Sequence, residues 1–350
     1  MKKIISLILV VSMMCCLLVA CGKTEPKPDA TEKPDVDVVE PEDGIINPLT
    51  GEIVEEDTSI MRPYCIMINN HPEGRPSIGL SKASIIYEAL VEGEITRLMA
   101  IFNDIDGLDI GNIRSCRHYY LSLVQAYDGL YIHWGSSNIG DAQIAQYGID
   151  DIDALSHGDG FYREDCRFGN EHNAMIHGSQ AVAYAKSAYE TEHAEDYDTT
   201  YGLMFSKDAA EQCTNESTDF TVQYLASTKT NFKYDADKNC YNAFINGAEY
   251  KDRGDYYDST DDASIDIANV IILKVPYTVV DSSAHKDMEL TGSGTGFFAT
   301  GGKYVEINWT RADRSDSFHY TLTDGTPLAL SVGKTYICIS PLGDGGSVTW

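Results

Sequence analysis

Three acids and one arginine lie close together in Ile86–Phe102, which reads IYEALVE, Gly93-Glu94, ITRLMAIF. Apolar runs on either side of a Gly-containing loop predict a β-hairpin. A two-residue type II′ turn at Gly93-Glu94 pairs residue 92 with 95, 90 with 97 and 88 with 99. Glu88, Glu92 and Arg97 then share one face. Two carboxylates and a guanidinium on an otherwise apolar face need partners or a polar cleft. A cleft would let Glu88 or Glu92 act as a general acid or base. The simpler alternative is a structural Arg–Glu pair. A three-residue loop would put Arg97 opposite Glu88 and dissolve the constellation.

Arg114-Ser115-Cys116-Arg117 places two arginines at an expected helix start. Free backbone N–H groups and the positive end of the helix dipole favour anions there. Guanidinium adds two parallel hydrogen bonds to a carboxylate or phosphate, so an anionic subsite is expected. The alternative is that these arginines neutralise Glu88 and Glu92. Asn69-Asn70-His71-Pro72 and Arg75-Pro76 leave the first strand, a common place for a site in an α/β layer. His133 ends another strand, and His172-Asn173 and His177 lie further on. Histidines from several segments could meet at a metal, but no HExxH pattern occurs, so neither a metal nor a cofactor is expected. Gly292–Gly296 lacks the Lys-Ser/Thr ending of a phosphate loop and reads as bent β structure. Asp235–Asn239 lacks the glycine and glutamate of a calcium loop and reads as a turn. Asp281, His285 and Asp287 lie among serines without a nucleophile-elbow context.

These groups need a scaffold. Tyr64–Asn69 and Leu130–His133 read as buried strands, and Ser115–Tyr127, Ile139–Tyr147 and Gln180–Tyr189 as helices, the first and third capped by Ser115 and Ser179. After Asn215 the pattern turns to strands: Phe220–Tyr224, Asn231–Tyr234, Tyr241–Ile245, Val270–Val275, Tyr304–Trp309, His319–Leu322 and Tyr336–Ile339. The fold class expected is α+β. A mixed α/β N-terminal domain spans 59–215, and a smaller β-rich C-terminal domain spans 216–350. The acidic run Asp252–Asp266 reads as an exposed loop.

The N-terminus carries an address. Lys2 and Lys3 precede an apolar stretch, Ile4–Leu18, which ends in Leu18-Val19-Ala20-Cys21-Gly22. Residues 1–21 thus read as a signal peptide with a lipobox, and Cys21 as the lipidated residue. Two acyl chains would hold the protein firmly, at about 0.8 kcal/mol per buried CH₂. Residues 22–58 hold five of the eleven prolines, and twelve acids against three lysines, as expected of a disordered tether. Cys15 and Cys16 leave with the signal. Cys65, Cys116, Cys166, Cys213, Cys240 and Cys338 remain, with no CxxC and no pairing legible. Cys65 and Cys338 sit in apolar runs and read as small core residues. With 350 residues and a net charge of -28, the chain can build a core but repels phosphate backbones, so no nucleic-acid partner is expected.

Pro48-Leu49-Thr50-Gly51, Ile68–Phe102 (INNHPEGRPSIGLSKASIIYEALVEGEITRLMAIF) and Gly111–Leu123 (GNIRSCRHYYLSL) resemble the YerB-like bacterial lipoproteins. That family is defined by a two-part domain of unknown function. The strand run from Asn269 to Ile339 is similar but less distinctive. The resemblance implies an extracytoplasmic lipoprotein with two mixed α and β domains and carries no activity with it. The family pattern has Asp where this chain has Asn69 and Ser84, so neither position is given a charged role. The matched polar residues His71, Arg75, Glu88, Glu92, Arg97, Arg114 and Arg117 are those expected to line a site.

Together these readings imply a lipid-anchored binding or accessory protein on the extracytoplasmic face of the bacterial membrane. Its partners would be the bilayer, through acylated Cys21, and a cell-wall component or envelope protein with a polar or anionic group. The alternatives are a cell-wall hydrolase using Glu88 or Glu92, assisted by His71 or His133, and a scaffold without a small-molecule site. Replacing Cys21 with Ala should move the protein from the membrane fraction to the medium. Continued membrane association on fractionation would contradict the lipobox.

Overall fold

The computed structural model describes residues 44–164, 171–253 and 262–350. The signal peptide, Cys21, most of the expected tether, Cys166 and the middle of the acidic run lie outside them. Among the described residues no helix is long and apolar enough to cross a membrane.

The N-terminal half contains β1 (Ile45–Ile46), β2 (Ile53–Val54), β3 (Tyr64–Ile68), β4 (Ile85–Leu90), β5 (Thr96–Phe102) and β6 (Asp109–Gly111). Helix α1 (His118–Ala126), β7 (Leu130–His133), α2 (Asn138–Tyr147), β8 (Asp151–Asp153), β9 (Phe161–Arg163), β10 (Ala174–His177) and α3 (Gly178–Ala188) follow. The rest is mainly strands: β11 (Asn215–Glu216), β12 (Asp219–Leu225), β13 (Thr228–Asp235), β14 (Cys240–Ile245), β15 (Ala248–Glu249), β16 (Lys251–Asp252) and β17 (Ala263–Ser264). Then come β18 (Asn269–Lys274), β19 (Tyr277–Val279), β20 (Lys286–Met288), β21 (Gly292–Thr300), β22 (Lys303–Arg311), β23 (His319–Leu322), β24 (Thr335–Ser340) and β25 (Ser347–Thr349).

The protein is β-rich, as expected for its C-terminal half. The N-terminal α/β layer is not a sheet of its own. An eleven-stranded sheet runs β11-β22-β21-β18-β24-β4-β5-β3-β7-β8, with β23 on β22. It crosses the expected boundary at residue 215 through the parallel pair β4–β24, where Glu88 lies opposite Cys338. Such a pair needs no local turn, only two apolar strands buried on both faces, and IIYEAL and TYICIS are buried throughout. The tether also ends earlier than expected. Residues 45–54 form the β1–β2 hairpin, and Leu49 is fully buried.

Helix α1 lies on one face of the central sheet. Its Tyr119 and Tyr120 hydroxyls donate to the carbonyls of Leu90 (2.5 Å) and Arg97 (2.6 Å). The helix starts at His118 with Arg117 as its cap residue, two positions later than expected, and no side chain caps it. Helix α3 likewise begins at Gly178 rather than behind a Ser179 cap. The five-stranded sheet β15-β14-β13-β12-β25 covers the opposite face. Cys65, Cys116, Cys213, Cys240 and Cys338 are buried free thiols, and Cys65 and Cys338 fill the core as expected.

Glu88 lies fully buried between the two sheets. Its Oε1 accepts from Thr96 Oγ1 (2.7 Å) and Asn70 Nδ2 (3.3 Å), and its Oε2 from Tyr336 OH (2.8 Å) and Tyr224 OH (2.9 Å). Thr230 Oγ1 donates to both oxygens. Burial pushes the Glu88 carboxyl above its ordinary value of 4.5, against the pull of the hydroxyl donors. A raised folded-state pKa makes the folded protein hold the proton more tightly than the unfolded chain does. The contribution of Glu88 to stability is therefore full below about pH 4.5 and is lost as pH rises through the folded pKa. Glu88→Gln removes this titration. The stability of the variant relative to the parent should rise with pH above 4.5 in urea unfolding. A difference that stays flat or falls would contradict the assignment.

Candidate functional site

The directions of the strands define the site. β3, β4, β7, β8, β18 and β24 all run the same way, so their C-terminal ends share one edge of the central sheet. Asn69 follows β3, Glu92 follows β4, and His133 and Asp153 close β7 and β8. Ligands in open α/β sheets gather at this kind of edge. The segment after β6 is laid across it by backbone pairing: Asn69 N–H donates to Asn112 O (2.8 Å) and Arg114 N–H to Met67 O (2.9 Å). Arg114 and Arg117 are thereby carried over the strand ends on the way into α1.

The hairpin departs from the expected register. Its loop is the three-residue turn Glu92-Gly93-Glu94, with Gly93 and Glu94 both left-handed (φ 70° and 57°). Leu90 pairs with Thr96, Ala89 with Arg97 and Glu88 with Leu98. A one-residue shift turns side chains to the other face. Glu88 therefore faces the small sheet, and Arg97 faces the edge beneath α1. Glu88, enclosed by donors and without solvent access, does not reach a substrate. Its assignment as a catalytic or ligand-binding group is corrected to an interlayer polar anchor.

Glu92 and Arg117 form a two-point ion pair. Arg117 Nε lies 3.0 and 2.9 Å from the two Glu92 oxygens, and Nη2 lies 2.7 Å from Oε2. Burial pushes the Glu92 carboxyl up, but the hydrogen bonds and charge of Arg117 outweigh it and hold the group below its ordinary value. A catalytic carboxylate at Glu92 would have to leave this pair before acting as acid or base. Arg97 is 5% exposed and donates from Nη1 to Ser115 O (2.7 Å). Burial, with Arg117 and Arg114 close by, pushes it down to about 10. Arg114 is half-buried and donates from Nη1 to Glu171 O (2.9 Å), while its buried Nε has no hydrogen-bond partner among the described residues. Burial lowers its pKa, Glu171 opposes this, and Arg117 and Arg163 add to it. Arg97 and Arg114 thus lie close to Arg117, and among the described residues only Arg117 of the three is in ion-pair contact with a carboxylate, that of Glu92.

The structure sorts the remaining expected residues. His71 and His172 stack, with ring centroids 4.6 Å apart. Glu73, missed from sequence although two residues from His71, joins them. One possible ligand atom from each of the three lies within 4.8 Å of the others. Asn173 accepts from Arg163 Nη1 (3.1 Å), and Arg163 stacks on Trp134 at 4.4 Å. His133 is buried, with Nδ1 2.9 Å from Gly135 O and Nε2 3.0 Å from Asp151 Oδ2, so both ring nitrogens face acceptors. It clamps the end of β7 to the Gly135 carbonyl and Asp151. His177 sits elsewhere, paired with Asp109 and stacked on Tyr162. Arg75 turns into a cleft of about 390 Å³ shared with Ile245, Tyr250 and Lys251, whose lining includes none of the three clustered arginines. Asn112, also missed, is fully buried and ties Gly74 O (3.1 Å) and the His172 carbonyl together.

Glu92→Ala would leave Arg97, Arg114 and Arg117 without a carboxylate in ion-pair contact among the described residues. The expected cost is about 1–3 kcal/mol of unfolding free energy. Glu92→Ala/Arg117→Ala should recover part of that loss, because the partly buried guanidinium that loses its partner is removed with it. Additive losses in urea unfolding would contradict the pairing.

Comparison with known proteins agrees with this architecture. Residues 49–195 match the N-terminal domain of a protein family of unknown function, DUF3048, and residues 220–337 match its C-terminal domain. YerB of Bacillus subtilis (strain 168), named there as a candidate lipoprotein, is 29% identical over 338 residues, covering 95% of this chain and 94% of its own. The crystal structure of YerB protein from Bacillus subtilis is similar with a TM-score of 0.74 and 27% identity, over 87% of this chain and all of that one. With both parts of the domain matched in order along the described fold, the chain belongs to the DUF3048 family.

Proposed function

We propose that this protein is a lipid-anchored binding or accessory protein on the extracytoplasmic face of the bacterial cell membrane. In this reading it holds an anionic group of a wall component or envelope protein at the strand-end edge. The observation that carries the reading is Arg97, 5% exposed beside Arg117 and Arg114, with no ion pair among the described residues and a pKa pushed down first by burial and then by those two arginines. Keeping like charges together in a poorly solvated place costs free energy, and a bound anion relieves it. Arg114 has a buried donor nearby that is unused among the described residues. The lipobox at Cys21 and the similarity to a relative named as a candidate lipoprotein support the anchor.

The net charge of -28 limits the ligand. Long polyanions are repelled over most of the surface, so recognition is confined to a single anionic group at the edge. The hydrolase alternative gains nothing from Glu88 or Glu92 as they are placed.

The full chain carrying Cys21→Ala, immobilised and exposed to purified wall fragments and envelope extract, tests the reading. Arg114→Ala/Arg117→Ala should lower ligand retention by about tenfold while circular dichroism stays unchanged. Equal retention by both proteins would overturn it.

A further inference from the structure

The His71–Glu73–His172 trio has the composition of a metal site, but its hydrogen bonds assign the protons otherwise. His71 N–H donates to Asn69 Oδ1 (3.0 Å), which fixes the orientation of that side-chain amide. Asn69 Nδ2 therefore faces His172 Nδ1 at 2.9 Å and donates to it. On the other ring, Glu73 N–H donates to His71 Nδ1 (3.2 Å), because His71 caps the short turn Pro72–Gly74. Both Nδ1 atoms accept, so both neutral rings carry their proton on Nε2. A metal bound through Nε2 needs a bare lone pair there and a proton on Nδ1, which would break both of these contacts.

The trio instead presents two N–H donors. Among the described residues neither Nε2 has a hydrogen-bond acceptor. The nearest carboxylate oxygen, Glu73 Oε2, stays 3.6 Å from His172 Nε2, beyond hydrogen-bond reach. The Glu73 side chain is 76% exposed, whereas that of His172 is 8% exposed. Arg114 lies near enough to act on the charge of His172, and its Nε is also without a partner.

We propose that His71 and His172 form a carboxylate-binding subsite beside Arg114, guarded by Glu73, which the carboxylate of an incoming ligand displaces. This rests on the reading of the edge as an anion site and names the chemical class of its ligand. Glu73 acts as a loose internal occupant. Moving it into solvent costs little, because an exposed contact of this length contributes little.

Imidazole ¹⁵N NMR on the full chain, titrated with acetate against chloride at matched ionic strength, tests the subsite. Acetate should shift the Nε2 resonances of both His71 and His172. Glu73→Gln keeps the backbone donor and should tighten acetate binding about two- to fivefold. Acetate binding that depends on Arg114 but leaves both histidines unmoved would overturn this subsite and leave the anion edge standing. No acetate binding in either protein would overturn both. Loss of the Nε2 protons on adding one equivalent of Zn²⁺ would overturn the proton assignment in favour of a metal.

Discussion

The register of the 85–102 hairpin decides which polar groups meet. Its three-residue turn sends Glu88 to one face and Arg97 to the other. Since the side-chain period of a strand is two, a loop shorter by one residue would place both on one face as a neutralised pair. The observed register leaves a carboxyl with hydroxyl partners and an arginine with a carbonyl partner. Both states are expensive in isolation, and each is tolerated because the neighbouring layer satisfies the group with hydrogen bonds.

The two halves of the chain depend on each other through the same hairpin. β4 pairs with β24 along one side, and Glu88 collects Tyr224, Thr230 and Tyr336 from the C-terminal half. The two matched domain parts therefore share one central sheet. The sheet aligns six strand ends along one edge, and the arginines gather there. In a strongly acidic protein, three arginines held close together at this edge stand out. Ionic screening over about 8 Å at physiological salt leaves the buried part of that charge largely intact.

Much of this was legible in the sequence because apolar runs and turn residues are local signals. YCIMI, LYIH and TYICIS are strands as read, and the helices differ from expectation chiefly at their starts. The turn was not legible, since Gly93-Glu94 accommodates a two-residue loop as readily as the left-handed part of a three-residue one. The partners of Glu88 were hidden for another reason. Tyr224, Thr230 and Tyr336 lie 136 to 248 residues away along the chain, and no local pattern reports such pairing. His71 and His172 were each visible, but their stacking and the role of Asn69 between them come only from the fold. The alternative reading, in which the arginines neutralise Glu88 and Glu92, matches the structure for Glu92, which pairs with Arg117, and not for Glu88, whose partners are hydroxyls and an amide.

The central claim is that the strand-end edge carries an excess of cationic donors built to receive an anion. Anomalous diffraction from crystals soaked in selenate tests it most directly. The account predicts an ordered selenate against Arg114 at the edge beside His172. Selenate found only at surface lysines, with none at that edge, would contradict it.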